Sequence, residues 1–116
     1  MSAEMSFRAL LAAAPGVTTL VGSRIAQNSV PQGEALPLIV FTASHNPSRG
    51  TDGTLLADEV TFVVQCWADD SLEADAVADA ASSALAGTAD VLARESAFDA
   101  EIDLHATVLS VQWWTV

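Results

Sequence analysis

Val60, Phe62, Val64 and Cys66 occupy alternate positions between Glu59 and Trp67, so a strand through this stretch puts all four on one face. Thr61, Val63, Gln65 and Trp67 fall on the other face, which is itself partly apolar. A sheet built on this strand is buried on one side and partly covered on the second. Directly afterwards, Asp70 and Glu73 form a D-x-x-E capping box. Behind it Leu72, Ala76, Val77, Ala80, Ala81, Ala84 and Leu85 recur as an apolar helical stripe, and Gly87 stands where a C-cap belongs. The small residues of that stripe let the helix lie close to the sheet.

The flanking segments extend this pattern. Ser2 and Glu4 suit the start of a first helix, with Met5, Leu10, Leu11 and Ala14 at helical intervals and Pro15-Gly16 ending it. Val17 to Val21 reads as a second helical turn closed by Gly22, and Arg24 to Ala26 as a brief extended piece. Gln27 to Pro37 reads as a loop, broken by Pro31, Gly33 and Pro37. Leu38 to Thr42 is a continuous β-prone run, the mark of an interior strand. His45 to Thr54, with Pro47, Gly50 and Asp52-Gly53, has the composition of a flexible hairpin loop. Val91 to Phe98 and Ile102 to Val116 read as two more strands. In the second of these the apolar set changes phase near Leu109, from Ile102, Leu104, Ala106 and Val108 to Leu109, Val111 and Trp113; a bulge or a change of packing partner accounts for it. The fold class that follows is α+β: one domain over residues 1–116, an antiparallel-rich sheet of four or five strands, and helices on one face.

Charge excludes several functions. Four arginines and no lysine against 15 acidic residues leave a net charge of −11. Such a surface repels phosphate, so binding nucleic acid or an anionic membrane through a basic face is disfavoured. Partners are expected to be proteins or cations. No apolar run approaches the roughly 20 residues needed to span a bilayer. Glu4 before the first apolar stretch and Arg8 within it are the wrong order for a secretory signal, so the chain is expected to be made in the cytoplasm.

No catalytic constellation emerges. Cys66, the one cysteine, sits inside the strongest strand and reads as an inert buried thiol; with two histidines it gives no zinc spacing. His45 beside Asn46-Pro47 reads as a solvated loop residue. Asp103 and His105 would share a strand face, a conceivable carboxylate–imidazole pair, yet no nucleophile or second acid is assignable beside them. No phosphate-binding glycine loop, H-E-x-x-H, G-x-S-x-G or calcium loop is present. No catalytic, cofactor or metal site is therefore expected.

Two features ask for partners. Asp69, Asp70, Glu73, Asp75 and Asp79 crowd one helix with no basic neighbour in sequence, and Asp75 and Asp79 repel each other at i, i+4. Either water solvates them or an arginine of another subunit relieves them. Trp113-Trp114 point to opposite faces of a strand, so one ring packs internally while the other is either covered within the chain or awaits another chain. Asp75, Asp79, Trp113 and Trp114, with Arg24, are the candidate subunit-interface residues.

Gly22-Ser23-Arg24-Ile25, then Pro31-Gln32-Gly33, then Leu36-Pro37-Leu38-Ile39-Val40-Phe41 resemble the opening of phage tail-completion, or tail-terminator, proteins. Val64-Gln65-Cys66-Trp67-Ala68 leading into an Ala-rich helix, and a last strand ending in Trp113-Trp114, are similar to that family's centre and finish. The resemblance covers Phe7 to Trp114. It implies a non-enzymatic α+β protein that forms a hexameric ring on the head-proximal end of a tail tube. Such a ring stops tube growth and presents a docking surface to the head connector, stopper or adaptor. DNA passes through it without specific binding. The implied location is the tail or neck of a virion or a phage-derived particle such as a gene transfer agent, assembled in the host cytoplasm. The variable loop, here His45, Asn46, Arg49 and Asp52, becomes the candidate contact with tail tube or connector. The competing readings are another neck component (a head-closure or adaptor protein), a small enzyme using Asp103 and His105, and a small-ligand-binding module.

Overall fold

The computed structural model describes residues 3–28, 36–49, 55–101 and 103–115. The elements in chain order are α1 (Ala3–Ala12), α2 (Pro15–Val21), β1 (Ile25–Gln27), β2 (Leu38–Arg49) and β3 (Leu55–Ala68). They are followed by α3 (Ser71–Leu85), β4 (Asp90–Asp99) and β5 (Leu104–Thr115). The strands form one sheet in the order β1-β2-β3-β5-β4, with β1 parallel to β2 and every other pairing antiparallel. The fold is thus α+β with a mostly antiparallel sheet.

The β3 alternation produces the core. Val60, Phe62, Val64 and Cys66 are all fully buried, and their partners across the ladders include Phe41 and Ile39 on β2 and Trp113, Val111 and Leu109 on β5. Three helices cover this face among the described residues. Phe7 of α1 stacks on Phe62 with ring centroids 4.0 Å apart and meets Trp113 edge-on at 5.8 Å. Offset and edge-to-face ring contacts of this kind add to the burial of apolar area.

Several local expectations are corrected. In α1, Phe7 and Leu11 face the core while Met5 is 62% exposed. Pro15 opens α2 rather than closing α1, which ends at Ala12; a proline at a first helical position lacks a donor the helix would not use. Gly22 then closes α2 at φ +59°, a conformation that favours glycine. In α3 the capping box forms, with the Glu73 N–H donating to Asp70 Oδ1 at 2.7 Å. The buried arc, however, is Ala74, Val77, Ala78, Ala81 and Leu85, with Leu72 81% exposed and Ala76 exposed. Two overlapping arcs of an Ala-rich helix are almost equally apolar, so periodicity alone does not choose between them. Gly87 takes φ +84° just beyond the helix end.

The largest correction concerns the hairpin. His45, Asn46 and Arg49 are not loop residues: β2 runs on to Arg49, with His45 opposite Val60 and Asn46 opposite Glu59. Polar composition suggested a loop, but the ladder to β3 extends along the whole hairpin. Pro47 is tolerated because β2 lies near the sheet edge: among the described residues, β1 faces it only from Ile39 to Phe41. Asp52, with Pro31, Gln32 and Gly33, lies outside the described residues. The phase change near Leu109 is not a bulge in β5, which stays in unbroken register with β3 from His105 to Thr115. The irregularity sits in β4, between Val91 and Ala93. Leu109, Val111 and Trp113 face the helices, and Ala106 and Val108 lie on the opposite side of the sheet, so the change of phase is a change of packing partner.

Candidate functional site

Two of the helix's acidic residues, Asp75 and Asp79, meet an arginine from within the chain. Arg94 on β4 crosses to α3, where Nη1 donates to Asp79 Oδ1 at 2.6 Å and Nη2 lies 3.4 Å from Asp75 Oδ1. The Thr107 hydroxyl on β5 donates to the same Asp75 oxygen at 2.7 Å. The Thr107 hydrogen bond, helped by Arg94, holds the Asp75 carboxyl below its usual range. An arginine of the same chain thus sits against the Asp75–Asp79 pair, where the sequence reading offered water or an arginine of another subunit. Sequence separation hid the pairing, since Arg94 reaches Asp79 only because β4 folds back beside α3.

Trp113 also turns inward. It is 9% exposed and packs edge-on against Phe62 and Phe7, so its ring belongs to the core and not to a reserved contact. Trp114 follows it in the ladder opposite Glu59. Arg24 is engaged by backbone carbonyls: Nε donates to Pro37 at 2.9 Å and Nη2 to Leu20 at 3.3 Å. It ties the end of α2 to the start of β2. Beside it lies an open cleft of about 370 Å³ lined by Arg8, Arg24, Gln27 and Leu38 among others, at the β1 edge of the sheet rather than within the core.

The hairpin and the conceivable Asp103–His105 pair read differently in three dimensions. His45 Nε2 lies 2.7 Å from Glu4 Oε1, which pins the middle of β2 to α1. Asn46 is exposed. Asp103 is not on the strand: it occupies a turn at φ +53°, and β5 begins at Leu104. His105 packs its ring 4.7 Å from that of Phe98. Asp103 and His105 therefore do not share a strand face. Cys66 is fully buried, and burial pushes its thiol up to about 12, with Arg94 acting weakly in the opposite sense. A thiol held protonated is a poor nucleophile. Among the described residues no cluster of His, Cys, Asp and Glu could hold a metal ion.

What remains as surface is β4. Every residue from Asp90 to Phe98 is exposed, including Val91 at 39%, Leu92 at 59% and Phe98 at 53%. The strand ends the sheet, so one row of its backbone groups faces outward. Val91 to Phe98 is legible as a strand in the sequence, but its edge position is not. The signal available was the weakness of its alternation: Arg94, Glu95 and Ser96 interrupt any apolar face.

A family model described as "Tail completion protein gp17" matches residues 5–115. No curated protein sequence matches the chain. Among solved structures, a chain from the virion of a native gene transfer agent particle shares the fold with a TM-score of 0.76 at 20% identity. The match covers 91% of this chain and 88% of that one.

Proposed function

Because the chain belongs to the tail completion protein gp17 family, and so is a structural protein of a phage-type tail, we propose that it caps the head-proximal end of the tail tube as a hexameric ring. In that position it ends tube growth and offers the head connector a docking surface. The single observation that carries this reading is the family match, which runs through the whole described sheet and all three helices. The likeness to a chain of a gene transfer agent virion supports a place in a particle of that kind. Its partners are copies of itself, the tail tube protein and a connector, stopper or adaptor.

The charge of the chain suits a conduit. Six copies at −11 each make a strongly negative assembly that repels the phosphates of passing DNA. The long β2–β3 hairpin, with His45, Asn46 and Arg49 on its outer strand, is the proposed contact with tube or connector. The test is the particle that accumulates when the chain is absent. Overlong tail tubes without heads support the terminator; filled heads that leak, with tails of normal length, point instead to head closure.

A further inference from the structure

Resting on the ring reading, we propose that the arginine cleft beside β1 of one copy docks against the acidic α3–β4 flank of the next. Charge is divided unevenly along the sheet. Residues 1–49 hold three of the four arginines and two of the 15 acids; the other 13 acids follow, with Arg94 as their one basic companion. The first group belongs to the part of the chain that forms α1, α2, β1 and β2, and the second to the part that forms β3, α3, β4 and β5. In the sheet order β1-β2-β3-β5-β4, the arginine-bearing strands stand at one side and the acidic strands at the other. The helix α3 packs on β3, β5 and β4, so its carboxylates belong to the acidic side.

The cleft is where the first side lies open. It holds about 370 Å³ and is lined by Arg8 of α1, by Arg24, Ile25 and Gln27, and by Leu38 of β2, among others. Among the described residues no carboxylate pairs with either arginine. Arg8 is exposed and makes no hydrogen bond or ion pair there. Arg24 donates to the Leu20 and Pro37 carbonyls, which carry no net charge. Two guanidinium groups left without a carboxylate, in a chain of net charge −11, fit an acidic surface from outside. The α3–β4 flank supplies one. Among the described residues Glu95 and Asp99 have no cation beside them, and Asp75 and Asp79 share the single arginine Arg94.

Register puts the two surfaces at one height. Ala26 of β1, Val40 of β2, Gln65 of β3, Val108 of β5 and Glu95 of β4 form a single row across the sheet. The next row begins at Ile25 and ends at Ser96. Glu95 and Ser96 are thus level with Ala26 and Ile25, both of which line the cleft. Rotation about an axis parallel to the strands keeps each row at its height, so the β4 edge of one copy arrives opposite the cleft of the next. Two acidic flanks repel each other, whereas a flank and a cleft attract. Contacts between different patches are heterologous, the type that makes a ring when the rotation closes.

Two charge reversals, supplied singly and together, test the docking. Arg8→Glu spoils the cleft and Glu95→Arg the flank. Both side chains are exposed and make no ion pair among the described residues, so the urea midpoint of each variant should match the wild type. Cells lacking the native chain receive either variant or both, and copies of the chain per isolated neck are counted. Each variant alone is expected to leave about tenfold fewer filled necks or worse, because like charges then meet at every joint. Both together are expected to recover the wild-type number to within about twofold, because the reversed cleft then meets the reversed flank. If either variant alone fills necks as the wild type does, the docking is wrong while the ring stands. If both fail alone and also together, cleft and flank face other proteins and the docking is again wrong. If wild-type necks hold a single copy, the ring itself fails and the docking falls with it.

Discussion

Truncating Phe7 to alanine tests whether α1 is riveted to the sheet. The ring is fully buried, stacked on Phe62 at 4.0 Å, tilted against Phe41 at 5.2 Å and edge-on to Trp113 at 5.8 Å. Removing it opens a cavity walled by three aromatic rings that cannot collapse without moving the sheet. Phenylalanine-to-alanine changes at such sites cost about 3–5 kcal/mol. For a 116-residue chain the total stability is expected at roughly 6–17 kcal/mol, so one ring carries a large share. With a urea dependence of about 2 kcal/mol per molar, the unfolding midpoint should fall by about 2 M. Met5→Ala on the same helix is the control: its side chain is 62% exposed, and its stability should hold to within about 0.5 kcal/mol, a midpoint shift of about 0.25 M. A Phe7→Ala midpoint no lower than that of Met5→Ala refutes the aromatic cluster as the anchor of α1.

Other outcomes follow from the same contacts. The Asp75 carboxyl is held below its usual range by Thr107 and Arg94, so its contribution is present above the unfolded value and is lost as pH falls through the lowered folded one. Acidification should therefore lower the unfolding midpoint of the wild type more than that of Asp75→Asn; equal slopes would discard the network. Arg94→Gln should speed amide exchange across β4 while leaving β3 protected, and unchanged exchange in β4 would show that the α3 contacts do not hold that strand. Cys66, raised to about 12 and fully buried, should react with an alkylating agent at neutral pH only as fast as the chain opens. Rapid stoichiometric labelling of the native chain would contradict its burial.

Much of the fold is legible locally. β3 announces itself because every inward position is apolar, and α3 begins where Asp70 and Glu73 cap each other. Long-range pairing is what local pattern cannot convey. The polar run His45 to Arg49 resembles a loop by composition, yet it is strand because β3 is long enough to carry a ladder beside it. Asp75 and Asp79 look unrelieved until β4 brings Arg94 to them. Trp113 carries no mark distinguishing a core ring from an interface ring, and only the Phe62–Phe7 stack decides it. Family membership was legible from short motifs around Arg24, Phe41 and Trp67, and the match over residues 5–115 bears it out. Assembly surfaces are harder to read, because an exposed edge such as β4 differs from a buried strand mainly in what its neighbours do.

A density map of the intact particle, with this chain fitted by its side chains, reaches the central proposal most directly. The account predicts a closed ring of copies where the tail tube meets the head, with one layer at that joint and none along the tube. Copies at the distal tip, in the capsid shell or repeated down the tail would contradict it.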